Sequence, residues 1–133
     1  MGYTHYWETS RDFTDAEWAE LMQDADDLIA ASDVHLRIER NAPNEPAEVT
    51  VSEIRFNGLG AEGHETFVFH KDKHSNFCKT NRKPYDAIVV KILAHAHSIA
   101  PDAVYLGSDG NSQPGETPVV NIFEQVLTGD YHA

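Results

Sequence analysis

The spacing of the apolar residues changes twice along this chain of 133 residues, and that change constrains the fold more than any other feature. Trp18, Leu21, Met22, Ala25, Leu28 and Ile29 recur at helical spacing, as do Tyr85, Ile88, Val89, Ile92, Leu93, Ala96 and Ile99. Each set makes one apolar stripe on a helix. Between them, Val34, Leu36 and Ile38 alternate with His35, Arg37 and Glu39, and Phe67 and Phe69 alternate with Thr66 and Val68. A period of two is that of a half-buried strand.

Local punctuation sets the bounds. Thr14 and Glu17 form a capping box, each side chain able to bond the other's backbone, so the first helix starts there and stops near Ser32 and Asp33. Pro84 suits the first residue of the second helix, and Pro101 ends it, with Lys91, Ala94 and Ser98 expected opposite the apolar arc. Strands are expected over residues 3–7, 34–40, 48–56 and 64–70, with shorter extended pieces at 77–80 and 103–106. Loops are expected at 41–46, 57–60 and 108–115, where Pro, Asn and Gly gather. The reading is one α+β domain over residues 1–133: a mostly antiparallel sheet of about 4–6 strands packed against two main helices, about 14–32 and 84–100, with a C-terminal helix at about 118–128.

The only cysteine is Cys78, which excludes an internal disulfide and any metal site built from paired thiolates. The chain opens without a basic region and apolar core, and no apolar run approaches a membrane span, so a cytoplasmic protein is expected. The net charge of -12 argues against direct binding of double-stranded nucleic acid. The charge is segregated. Residues 1–30 hold eight carboxylates against Arg11 alone, whereas Lys71, Lys73, Lys79, Arg82, Lys83 and Lys91 supply six of the ten cations.

Chemistry therefore concentrates where Lys79, Arg82 and Lys83 flank a strand-to-helix junction. A helix start attracts anions, and these side chains add point charges and a guanidinium fork. Asp86 falls in the first turn of that helix, either complementing the dipole or acting as a partly buried acid. His64 and His5 are the candidate proton carriers. His64 and Glu65 point to opposite faces of a strand and cannot act as a pair; with Val68 four residues on, no zinc-protease motif exists. Trp7, Asn57 and Asp109, near strand ends and turns, join Lys79, Arg82 and Lys83 as candidate ligand contacts. Cys78 has two readings, a nucleophile beside Lys79 or a small buried residue. His70 and His74 have the cations Lys71 and Lys73 beside them, which oppose a divalent ion, so no metal site and no cofactor is expected.

Gly2-Tyr3-Thr4-His5-Tyr6-Trp7, Phe56-Asn57-Gly58, Gly63-His64-Glu65-Thr66-Phe67, Phe77-Cys78-Lys79-Thr80, Arg82-Lys83-Pro84-Tyr85-Asp86 and Ser108-Asp109-Gly110 occur in that order. Together they resemble a family of small proteins of unassigned activity encoded by bacteria, plasmids and tailed phages. The resemblance implies an accessory protein of bacterial or viral origin, in the host cytoplasm for a phage-encoded chain, and carries over no activity. From the residues, the expected function is binding or hydrolysis of a phosphorylated small molecule such as a nucleotide. The alternative is an acidic protein-binding inhibitor that presents helix 14–32 as a nucleic-acid mimic of the anti-defence type, or else a virion-associated structural protein.

Overall fold

The computed structural model describes residues 2–132. Its elements in chain order are β1 (Thr4–Thr9), α1 (Asp15–Ala31), β2 (Leu36–Arg37), β3 (Glu48–Val49), β4 (Glu53–Gly58), β5 (Phe67–His70), β6 (Ser75–Lys79), α2 (Asp86–Ile99), β7 (Val104–Ser108) and α3 (Ile122–Thr128), with one 3-10 turn at Gly60–Glu62. The α+β class stands, with three helices and antiparallel pairing throughout among the described residues. The strands divide into two sheets. In the first, β1 is central between β6 and β7; in the second, β4 is central, with β2 and β3 along one side and β5 along the other.

Thr14 caps α1 as its sequence requires: the Glu17 amide donates to Thr14 Oγ1 at 3.1 Å and the Thr14 amide donates to Glu17 Oε1 at 2.9 Å. Trp18, Leu21 and Ala25 are the buried line of this helix. The second helix differs from its expected one-sided arc, because Ala87, Val90 and Ala94 are buried together with Ile88, Val89, Ile92, Leu93 and Ala96. α1 covers one side of α2, while β7 and α3 cover another, and Ala94 belongs to the second contact beside Leu106 and Phe123. The core also stacks Trp7, Phe13, Trp18, Phe56, Phe67 and Phe69 between the sheets and α1.

Three strand bounds change for local reasons. Segment 48–56 is a hairpin, since the Thr50 hydroxyl accepts from the amides of Ser52 and Glu53 at 3.3 and 3.1 Å and turns the chain. Segment 34–40 keeps only Leu36–Arg37 as strand, because the loop after it folds back and the Ile38 amide donates to the Glu45 carbonyl at 2.9 Å. Asn57 and Gly58, expected in a turn, finish β4. Among the described residues, no helix is long and apolar enough to cross a membrane.

Arg11 ties the start of α1 to the turn before β7, donating to Glu17 at 2.8 and 3.0 Å and to Asp102 at 3.1 and 3.0 Å. That hydrogen bonding, first from Arg11 and then from the Thr14 backbone, lowers the Glu17 carboxyl from 4.5 to about 2. A depressed carboxyl stabilises the fold above its unfolded value and stops doing so as pH falls through its folded value. Wild-type protein should therefore lose this contribution between pH 4.5 and about 2. Thermal melts across that window should fall less steeply for Arg11→Met; equal slopes would show that the ion pair does not stabilise the fold.

Candidate active site

β1 brings His5 to the centre of the first sheet, fully buried and directly across the ladder from Ser108 on β7. On its other side α2 begins with Asp86, whose Oδ1 lies 2.6 Å from His5 Nε2. A carboxylate oxygen only accepts, so Nε2 carries the proton; in the neutral imidazole Nδ1 then accepts from the Ser108 hydroxyl at 2.7 Å. Ser108 Oγ in turn accepts from the Gly110 amide at 2.9 Å. The buried Thr80 hydroxyl also donates to Asp86 Oδ1. Asp86 thus has one oxygen doubly anchored, and its Oδ2 has no hydrogen-bond partner among the described residues.

Serine, histidine and aspartate in this order are the components of a nucleophilic triad. The neighbouring cleft distinguishes the two ends of the chain. A cleft of about 290 Å³ is lined by Tyr3, Arg82, Lys83, Asp86, Gly110, Gln125, Tyr131 and His132, and Ser108 is not in its lining. The end that opens on this cleft is the carboxylate of Asp86; Ser108, itself half-buried, lies outside the cleft and is the far anchor that holds the imidazole. Such an arrangement can accept a proton at Asp86 while His5 holds that carboxylate in place.

The cleft walls have their own physical logic. Asn81 and Arg82 adopt left-handed backbone, φ 53° and 57°, two consecutive residues that are not glycine. Each such residue costs about 1–3 kcal/mol, a strain that tends to persist at functional sites. The turn sets the Arg82 guanidinium 3.9 Å from the centroid of the Tyr3 ring. Gly110 lies so close to the Tyr3 hydroxyl that a Cβ there would overlap it. Burial, and next the charge of Asp86, raise the Tyr3 and Tyr131 phenols, so both remain hydrogen-bond donors at neutral pH.

Of the residues singled out by sequence, His5, Asp86, Arg82 and Lys83 meet here. Asp109 stands at the rim, its Oδ2 accepting from the Thr4 amide at 3.1 Å, beside a shallower hollow that shares Tyr3 and Arg82. Lys79 points to the outer face of the sheet, its stem against Gly2. Trp7 is a core residue that donates to His74 Nε2 at 2.8 Å. Asn57 is buried and ties β4 to the next segment, donating to the His64 carbonyl and to Thr66 Oγ1 and accepting from the amides of Gly58 and His64. His64 lies beside Asn57, among the residues lining a separate open hollow. Cys78 is buried, and burial pushes its thiol up to about 12, so it remains a thiol.

The junction also differs from an open helix start. Residues 80–85 make two turns, with Lys83 donating to Thr80 and Asp86 donating to Lys83, so α2 begins at Asp86 and its first amide is already satisfied. Cation side chains, rather than free helix amides, supply the positive charge. Neither Arg82 nor Lys83 pairs with a carboxylate among the described residues. On the acidic α1, Asp15 pairs with Lys71, Glu17 with Arg11 and Asp24 with His95, which leaves Glu20, Asp26 and Asp27 as its exposed carboxylates without an ion pair.

Ser108 and the aromatic pair Tyr3 and Tyr131 went unassigned at the level of sequence. The one signal for Ser108 was its place beside Asp109 and Gly110, where it read as a turn former. The fold and the site together define a small α+β protein with a hydroxyl–imidazole–carboxylate chain, centred on a buried histidine, that opens on a cationic cleft. Comparison with protein-family models, with curated proteins and with solved structures finds no match to the chain.

Proposed function

We propose that the protein binds a small phosphorylated molecule, of the nucleotide or sugar-phosphate class, in the cleft between β1, α2 and α3, with Asp86 accepting a proton from a ligand hydroxyl or from water. The observation that carries the reading is the Asp86 carboxylate, held by His5 and Thr80 and opening beside Arg82 and Lys83. Two cations against one carboxylate favour an anion there, although the chain as a whole has a charge of -12. Tyr3, Tyr131 and Gln125 add neutral polar groups able to bond ester or ring oxygens. At about 290 Å³ the cleft suits one small ligand and not a polymer.

The test is a thermal-shift series at low and high salt with nucleoside monophosphates, sugar phosphates and inorganic phosphate as probes. A ligand at 100 times its Kd should raise the melting temperature by on the order of 10 °C, less at high salt. Arg82→Gly is the informative variant, because glycine tolerates the left-handed backbone and the fold should stay within about 1 kcal/mol of wild type. The shift should vanish in it. Silence across the whole panel, or full stabilisation of Arg82→Gly, would overturn the reading.

A further inference from the structure

We propose that the outer face of the β6–β1–β7 sheet is an interface through which two copies of this chain associate. Strand alternation turns Trp7, Cys78 and Val104 inward and leaves Tyr6, Phe77 and Tyr105 outward, 47, 56 and 59% exposed. Tyr6 pairs with Phe77 across one ladder, their ring centroids 6.5 Å apart, and Tyr105 stands opposite Glu8 on the other, so the three rings and Glu8 line one shallow hollow over three strands. Scattered exposed aromatics are ordinary; three on adjoining strands of one sheet face make a contiguous patch of the kind that marks an interface.

The charges at the two ends of this face select a second copy. Glu8 is at one end of β1, and Lys79 is opposite Thr4 at the other, about 13 Å away along the strands. Neither has an ion-pair partner among the described residues. A two-fold axis lying in the interface, across β1 and over Tyr6, places Tyr6 on Tyr6 and Phe77 on Phe77. The same rotation carries each Glu8 to the Lys79 end of the other sheet. The face is thus complementary to itself, which is what a closed two-fold interface requires. A polyanionic occupant would instead meet a chain of charge -12 with one lysine on this face.

Sedimentation velocity over micromolar to sub-millimolar concentrations tests this directly. The mass should rise from 14.9 kDa toward twice that value. Tyr6→Ser and Phe77→Ser, surface changes whose melting curves should match wild type at low concentration, should each weaken association about tenfold or more. Glu8→Lys should weaken it as well, and Glu8→Lys combined with Lys79→Glu should restore it. A monomer at every concentration overturns the proposal, as does a dimer indifferent to Tyr6 and Phe77 or a charge exchange that fails to restore pairing. A monomer whose tyrosine fluorescence is quenched by a single-stranded oligonucleotide would assign the face to that occupant instead.

Discussion

Phe69→Ala is expected to cost about 4 kcal/mol of folding stability, the range seen when a fully buried aromatic ring is truncated. Phe69 is completely buried. Its ring centroid lies 5.7 Å from that of Phe13, 6.0 Å from Trp7, 6.2 Å from Trp18 and 5.0 Å from His74, so it joins α1, the second sheet and the first. Deleting it leaves a void lined by rigid rings that cannot collapse inward easily. Small domains are stable by about 5–15 kcal/mol in total, so this single change should remove a large fraction. Urea unfolding followed by tryptophan fluorescence reads it as a lower midpoint at unchanged slope. Val119→Ala, at an 84% exposed position, should change the stability by less than about 0.5 kcal/mol. Equal effects of the two would mean that the aromatic cluster is not the centre of the core.

The second large effect is expected from His5→Leu, which keeps apolar volume while removing both ring hydrogen bonds. Asp86 then keeps only Thr80 as partner for Oδ1, and Ser108 loses its acceptor inside the sheet. Leaving such groups without partners should destabilise the protein by about 3 kcal/mol. Ser108→Ala removes only the far link and should cost about 1 kcal/mol. The decisive measurement is a double-mutant cycle with His5→Leu and Asp86→Leu. Coupling of about 1–3 kcal/mol is expected for groups bonded in one network around a buried histidine. Additive losses would show that the two side chains are neighbours without cooperation, and Asp86 would lose its claim to be held for a purpose.

Local interactions made much of the fold legible. The Thr14–Glu17 box depends on residues three apart, and the stripes of α1 and α2 depend on residues three and four apart, so the sequence displays them directly. The Thr50 turn was equally local, but its hydroxyl was hidden in a run that reads as one extended strand. Asn121 likewise caps α3, accepting from the amides of Phe123 and Glu124, within a segment expected to be helical already.

By itself the sequence determined an α+β chain with two main helices and a third near the C-terminus, a charge segregated into an acidic start and a basic middle, and a list of polar candidates that included His5, Arg82, Lys83 and Asp86. It did not determine which of them meet. His5 is 103 residues from Ser108 and 81 from Asp86, and their contact depends on the register of β1 against β7 and on where the β6–α2 turns place the first residue of the helix. Tertiary structure alone decided that Lys79 faces outward, that Trp7 and Asn57 serve the core, and that Asp86 opens on the cleft. Periodicity records the burial of a residue within its own element, whereas a site is made by the register and packing between elements, and those follow from the whole core forming at once.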